Sequence, residues 1–518
     1  MSRQVSRHVH APVVLGAATL LLFAALALAK LWQWRHWLIT AYDAGIYYQA
    51  LWLISHGQIN AYNFLTSQPN LADATQWILI PVAFLTRLAG PLFPLLLQAA
   101  SVALLAAALA VYARDRDLGP AAALLLFLVA AAHPAVLGTH LLDWHPDTLG
   151  AAALAWAMVF QGRGRTPVFV LFLVLALATK NQAAVPVAGY GLGLLGKALL
   201  AGGGNGGKVR ARLLREGAWA LGLSLLFLAG DEWATTALLG GRNLNVAADY
   251  ASLGGSVTAV LGTLLRHPEV LAQRVALHLD YWRAMLEPLA YLPLLAPLSA
   301  LSGLATLLAN SLADQPSLTV PFNQYALWAA PGLLAAAVDT LARLRRLRLG
   351  RRRGSATARG ALPRWRQAVA ALLLLLVAGL SAGWLLRSTW PNEAWRLTPP
   401  AVEAELEAAA RRIPPGAAVY GENGTFARVA WRRYGGSWPY TDFRSFAAAV
   451  PPGVPIYLFL APDRAFAGMA TDRERDLAAR LEAAGARRVY DARGVFVLYV
   501  PREAAAAEAP AAAGGGGG

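Results

Sequence analysis

The sequence predicts an α-helical membrane protein of about eleven spans followed by a small α/β domain. Of the 518 residues, 57% are hydrophobic and only 14% are charged, whereas a soluble domain has about 25% charged residues. The mean hydropathy is +0.45 over the whole chain. The absence of cysteine excludes a disulfide scaffold and a cysteine-ligated metal site. This composition excludes a disordered chain and argues against a soluble globular protein.

The predicted spans are apolar segments, and most of them approach the length that crosses a bilayer, about 20 residues. The segments are 12–31, 92–112, 120–137, 148–160, 167–179, 183–200, 218–239, two short helices within 286–309 broken at Pro293 and Pro297, 325–341 and 369–386. The short apolar segment Trp77–Ala89 contains Arg87 and is interpreted as a re-entrant or interfacial helix.

The positions of the basic residues predict the orientation. Residues 343–366 contain ten arginines and no acid, and residues 197–215 contain five basic residues. Lysine and arginine stay on the cytoplasmic side during membrane insertion, so these loops and the N-terminus are predicted to be cytoplasmic and the C-terminal domain external. Trp365 is the one aromatic residue in these two runs, too few to stack successive bases, so we expect no nucleic-acid partner.

Three domains are predicted from the change in composition along the chain. Residues 1–387 form the transmembrane domain. Residues 388–502 alternate strand and helix patterns, which indicates an external α/β domain. Residues 503–518 are rich in alanine and end in five glycines, which predicts a disordered tail.

Ionisable residues near a bilayer are energetically costly and therefore informative. In the predicted topology several of them share the external ends of the spans. They are Asp43, Asp143, His145, Asp147, Lys180, Asp231 and Glu232, together with the polar residues Gln324 and Tyr325. This distribution indicates one external site at the membrane edge, although span ends are often polar without any function.

The segment Tyr42–Trp52 directly follows the first span. Its pattern is helical and places Tyr42, Ile46 and Gln49 on roughly one side. Asp43 at its start is either a helix N-cap, a role that aspartate fills readily, or a catalytic base.

Two histidines and two aspartates lie within His140–Asp147. These are ligand types for a divalent cation, but their spacing fits no strict metal motif. Pro146 makes Asp147 an alternative N-cap for the next span. The need for a metal or other cofactor is left open.

The segment Tyr42–Trp52 resembles the opening motif of a bacterial multi-pass membrane family, domain of unknown function 2079. The turn His145-Pro146-Asp147 is similar to the His-Pro-acid element of that family, and Lys180 and the helix around Gln324-Tyr325 are similar too. The family in turn resembles the GT-C glycosyltransferases, which have many spans and an acid just after the first one.

The resemblance implies a GT-C-like fold in the bacterial inner membrane and a sugar donor linked to polyprenyl phosphate. It implies that Asp43 is the general base, that Asp143 or Asp147 is an auxiliary acid, and that Lys180 pairs with the donor phosphate. The other expected substrate-binding residues are Tyr42, Gln49, His145, Gln324 and Tyr325. Membrane lipids and the lipid-linked sugar are the expected partners.

Two other functions are compatible with the sequence. One is a transporter or flippase of lipid-linked intermediates, which would place charged residues at mid-membrane and contain internal repeats. The other is a non-catalytic assembly protein in which Asp43 only caps a helix.

Overall fold

Long apolar helices make up the first two thirds of the chain. The computed structural model describes residues 2–59, 62–63, 68–201, 206–240, 248–346, 372, 375–381, 383–384, 400–438, 440–462 and 471–507. The helices of the first part are α1 (Ser2–Arg35), α2 (Ile46–Ser55), α3 (Asn70–Ala74), α4 (Leu79–Ala89), α5 (Phe93–Asp115), α6 (Pro120–Ala132), α7 (Pro134–Leu141), α8 (Asp147–Gly162), α9 (Thr166–Leu177), α10 (Ala184–Leu200), α11 (Gly206–Trp233), α12 (Val257–Arg266), α13 (Pro268–Leu277), α14 (Leu279–Leu286), α15 (Pro297–Leu312), α16 (Gln324–Leu327) and α17 (Ala330–Arg346). A two-stranded ribbon, β1 (Tyr62–Asn63) and β2 (Gln68–Pro69), lies between α2 and α3.

Five helical segments among the described residues are long and apolar enough to cross a membrane. They are Pro12–Arg35, Phe93–Asp115, Asn181–Leu200, Gly207–Leu238 and Gln324–Arg346, and a sixth results if the bent pair α6 and α7 counts as one span. Other predicted spans correspond to the shorter helices α8, α9 and α15. The ten-arginine loop lies largely outside the described residues, and the predicted span 369–386 is described only at 372, 375–381 and 383–384. The count of eleven spans therefore stays a prediction.

The two helices predicted within 286–309 require a correction, because only the second of them forms. Helix α15 begins at Pro297, as the sequence predicts, whereas the residues before it form two 3₁₀ turns, Glu287–Leu289 and Leu292–Leu295. Ala290 and Tyr291 have φ angles of 48° and 55°. This left-handed backbone interrupts a helix, and the prolines in both turns remove hydrogen-bond donors.

The chain nevertheless passes twice along the bundle in this region. Trp282 donates to Ser311 at the far end of α15, with a distance of 2.9 Å. Ten residues later, the carbonyl of Leu292 accepts from Thr340 near the end of α17. A segment of α14 and 3₁₀ turns therefore makes the first pass and α15 the second.

The C-terminal part is a small α/β domain, as predicted. A five-stranded sheet has the order β4 (Gly435–Trp438), β3 (Ala418–Glu422), β5 (Ile456–Leu460), β7 (Val495–Val500) and β6 (Arg487–Ala492). The first three strands are parallel, and β6 and β7 form an antiparallel hairpin. Its helices are α18 (Pro400–Ala410), α19 (Phe426–Val429), α20 (Phe443–Ala449), α21 (Thr471–Ala483) and α22 (Arg502–Ala507).

The predicted disordered tail is also corrected in part. Residues Arg502–Ala507 form α22, and Ala504 and Ala505 are buried against the domain core. Alanine has the highest helix propensity, and burial of these two methyl groups gives the short helix a packing partner. The rest of the tail, 508–518, lies outside the described residues.

The α/β domain packs against the chain segment that follows α1. The guanidinium group of Arg428 lies over the rings of Trp34 and Trp37, at 4.4 and 4.9 Å from their centroids. His36 Nδ1 lies 2.5 Å from a carboxylate oxygen of Glu403. These contacts place the domain at the end of α1 where Asp43 lies.

Candidate functional site

Asp43 lies in a π-helical turn, Ala41–Gly45, that continues directly into α2. Its neighbours Ala41, Ala44 and Gly45 are buried, whereas the Asp43 side chain is 25% exposed. Thr40 occupies the N-cap position, but its side chain makes no capping hydrogen bond to the helix. Asp43 is therefore not the N-cap of this helix, and its carboxylate is accessible.

His145 lies next to Asp43 although the two residues are far apart in sequence. Its Nε2 atom is 3.2 Å from Asp43 Oδ2, and its side chain is 1% exposed. The backbone N–H of His145 donates to Gln98 Oε1 at 2.9 Å. The ring of Tyr47 packs edge-on against the imidazole at 5.8 Å. The imidazole is thus held in a buried position behind the carboxylate.

Asp147 and Lys180 form a second, more deeply buried pair. Lys180 Nζ lies 3.5 Å from Asp147 Oδ1, and the Asp147 side chain is fully buried. The indole N–H of Trp328 donates to the same oxygen at 2.8 Å. Pro146, not Asp147, occupies the N-cap position of α8. The predicted capping role of Asp147 is therefore wrong, since its carboxylate is used in tertiary contacts.

Tyr325 connects this pair to the cavity. The ammonium group of Lys180 lies 4.7 Å from the centre of the Tyr325 ring, a distance typical of a cation–π interaction. Tyr325 also lines the cavity that contains Asp43. The positive charge of Lys180 therefore lies against one wall of this cavity.

The cavity has a volume of about 240 Å³. It is lined by Tyr42, Asp43, Leu142, Ser317, Val320, Phe322, Asn323, Gln324 and Tyr325. Gln324 is buried, and its side-chain carbonyl oxygen accepts no hydrogen bond from the described part of the chain. The lining thus combines an accessible carboxylate with aromatic rings and an amide acceptor, the mixture expected of a ligand site.

Asp249 is a further acidic residue near this site that the sequence analysis missed. It is buried. Burial raises the pKa of Asp249 to about 6, while the nearby charge of Lys180 lowers it and that of Asp314 raises it. The residue belongs to a polar segment without periodicity, so no sequence signal distinguishes it.

Three of the predicted residues have other partners. Both carboxylate oxygens of Asp143 accept from the backbone N–H of Thr40, at 3.1 and 3.2 Å, and the hydroxyl of Thr40 donates to it as well. Burial, followed by the charge of Asp43, raises the pKa of Asp143 to about 6. Gln49 donates to the carbonyl of Arg433, at 3.3 Å, in the α/β domain. Asp231 accepts from Asn181.

The motif His140–Asp147 is divided between two environments. His140 Nε2 lies 3.2 Å from the carbonyl oxygen of Leu26, whereas His145 faces Asp43. Within the described ranges, no three histidine or acidic side chains are grouped in a way that could hold a metal ion. Asp43 and His145 are the pair of possible ligands that the structure brings together here.

The fold and the cavity define a polytopic helical membrane protein with acidic residues clustered at one end of the bundle. A family model described as predicted membrane protein (DUF2079) matches residues 35–435. The chain therefore belongs to this family, as its opening motif indicates.

A solved structure has the same fold. The chain is similar to the crystal structure of ArnT from Cupriavidus metallidurans bound to undecaprenyl phosphate, with a TM-score of 0.54, 16% sequence identity, and coverage of 93% of this chain and 97% of ArnT. This similarity confirms the GT-C-like fold. No curated protein sequence matches the chain.

Proposed function

We propose that the protein is a membrane glycosyltransferase that moves a sugar from a polyprenyl-phosphate carrier to an acceptor at the external face. The observation that carries this proposal is the position of Asp43. Its carboxylate is partly exposed in the cavity and lies 3.2 Å from the buried His145. A fixed, accessible carboxylate beside a cavity of this size is the arrangement that a general base requires.

In the proposed reaction, Asp43 removes the proton from an acceptor hydroxyl. The acceptor oxygen forms a new bond to the anomeric carbon of the sugar, and the bond from that carbon to the phosphate oxygen breaks. The polyprenyl phosphate leaves with the bonding electrons. The undecaprenyl phosphate bound to ArnT supports a carrier of this chemical class.

Lys180 is the proposed electrostatic partner of the phosphate. Its ammonium group lies behind the Tyr325 ring that lines the cavity. Fixed positive charge stabilises negative charge that develops on a leaving group, most strongly where water is excluded. Asp147 holds Lys180 in place through the buried ion pair. Asp147 is therefore proposed to position the lysine and not to contact the sugar.

The distribution of ion pairs supports an external location for this site. Helix α5 begins near Gln98, which binds His145, and ends at Asp115, which pairs with Arg163. At the C-terminal end of α17, Arg346 pairs with Asp117. The arginine-rich turns thus lie at the end of the bundle opposite Asp43. By the positive-inside rule, we assign that end to the cytoplasm and the α/β domain, residues 388–502, to the outer face of the inner membrane.

Complementation of a deletion strain tests the proposed function. Mass spectrometry of cell-envelope glycans compares the strain carrying the wild-type protein with the strain carrying Asp43→Asn. We expect the wild type to restore a glycan that is missing in the deletion strain and the variant to fail at equal protein level.

The matched control is Asp115→Asn, which removes an exposed carboxylate of the opposite end of the bundle. We expect it to restore the glycan fully. Restoration by Asp43→Asn as well would contradict the assignment of the base. A flippase is distinguished with purified protein, donor and acceptor in detergent, because only a transferase then forms a new glycosidic bond.

A further inference from the structure

The helical turn that carries Asp43 begins without a cap from its own N-cap residue. Thr40 occupies that position, but its hydroxyl donates to Asp143. The first N–H groups of a helix have no partners within the helix and need external acceptors when they are buried. The start of this helix therefore depends on another part of the chain.

Asn423 of the α/β domain supplies those acceptors. Its side-chain oxygen accepts from the backbone N–H groups of Ala41 and Tyr42, both at 3.0 Å, and its backbone carbonyl accepts from Ala41 at 2.8 Å. Asn423 is buried. An asparagine oxygen that bonds the first N–H groups of a helix performs the function of an N-cap, here from 381 residues further along the chain.

The packing around this contact leaves little room for the turn to shift. A Cβ atom at Gly45 would lie 2.8 Å from the Phe426 ring, three residues after Asn423. The Tyr42 and Tyr440 rings are 5.0 Å apart on the same side of the interface. Because Asp43 lies between Tyr42 and Gly45, these contacts hold the backbone from which its carboxylate extends.

We propose that Asn423 is a positioning residue for Asp43, through which the α/β domain holds the candidate base in its reactive place. The catalytic part of this inference rests on the proposed function; the capping part does not. Asn423 accepts from the backbone N–H groups of Ala41 and Tyr42 and is not among the residues that line the cavity. The α/β domain is thus a component of the site.

The capping part is tested by amide hydrogen exchange on the full-length protein in lipid nanodiscs. In Asn423→Ala, Tyr42 loses its acceptor, whereas Ala41 keeps the backbone carbonyl of residue 423. We expect exchange at Tyr42 to accelerate about fivefold to tenfold, the effect of losing a helix cap, with a smaller change at Ala41. Asn423→Asp keeps the acceptor oxygen, and we expect near wild-type exchange.

The matched control is Asp442→Ala, which removes the N-cap of α20 in the same domain, where Asp442 accepts from Ser445 at 2.9 Å. We expect it to leave exchange at residues 41–45 unchanged. Unchanged exchange at Tyr42 in Asn423→Ala, or equal acceleration in Asp442→Ala, would overturn the proposal.

The catalytic part is tested by steady-state kinetics of the same variants. We expect Asn423→Ala to lower kcat at least tenfold with KM nearly unchanged, because the displaced base affects the transition state more than substrate binding. We expect Asn423→Asp to restore most of kcat. A loss confined to KM would overturn the positioning role. If the wild type transfers no sugar, the proposed function fails while the exchange result still decides the capping role.

Discussion

His145 Nε2 lies 3.2 Å from Asp43 Oδ2, and the two side chains differ sharply in exposure, at 1% and 25%. The contact joins the helix after the first span to the loop before α8. The buried imidazole lies against one carboxylate oxygen of Asp43, while Asp43 also lines the cavity. This geometry underlies the first prediction.

Replacement of His145 by glutamine should impair transfer without preventing folding. We expect His145→Gln to lower kcat on the order of 100-fold, the lower end of what general acid–base catalysis contributes, because Asp43 loses the buried imidazole beside its carboxylate. Steady-state kinetics on the purified variant measures this effect. His140→Gln is the control, because His140 is equally buried but faces the Leu26 carbonyl. An equal loss of kcat in the two variants would contradict a specific role of His145 at the site.

The buried pair of Asp147 and Lys180 predicts a coupled effect on stability. Lys180→Met leaves a fully buried carboxylate without its cation and should lower the free energy of unfolding by about 3–5 kcal/mol. Adding Asp147→Asn removes the uncompensated charge and should recover most of the lost free energy of unfolding. Thermal unfolding in detergent measures both variants.

The same double variant separates stability from activity. We expect it to fold but to remain inactive, because Lys180 no longer stabilises the leaving phosphate. Wild-type transfer rates in the double variant would show that the lysine has a structural role only.

The absence of a side chain at Gly150 leaves the space that the Trp328 indole occupies beside Asp147. A Cβ atom at Gly150 would overlap both the Trp328 ring and the Thr179 hydroxyl. Gly150→Ala should therefore displace the indole from Asp147 and lower the free energy of unfolding by about 1–3 kcal/mol. Gly222→Ala is the control, since a Cβ atom there meets nothing within 4 Å. We expect that variant to be neutral or more stable by up to about 1 kcal/mol. Chemical unfolding in detergent compares the two, and equal effects would contradict the packing argument.

Asp143 predicts a dependence of stability on pH. Burial, followed by the charge of Asp43, raises the pKa of Asp143 from 3.8 to about 6, so the folded protein binds this proton more tightly than the unfolded chain. The protonated Asp143 therefore stabilises the folded protein below pH 4, and this stabilisation is lost as the pH rises through 6. Between pH 4 and pH 6 the free energy of unfolding of the wild type should fall by up to about 3 kcal/mol relative to that of Asp143→Asn. Unfolding midpoints of both proteins across this range test it, and parallel curves would contradict the assignment.

The sequence by itself determines the helical membrane class, because apolar segments of spanning length leave few other solutions for the backbone. It also determines the α/β pattern of the C-terminal domain, whose strands and helices have local periodicity. The opening motif around Asp43 determines the family. In contrast, the 3₁₀ turns before α15 depend on left-handed backbone at Ala290 and Tyr291, which local apolar composition does not reveal.

Only the tertiary structure decides which polar side chains meet. His140 and His145 lie in one short motif, yet one faces the Leu26 carbonyl and the other Asp43. Asn423 and Asp249 have no local signal, because their roles depend on partners that lie distant in the sequence. Sequence periodicity reports which face of a helix or strand is buried. A cap or an ion pair between distant segments depends on how those segments pack, and that is set by the whole fold.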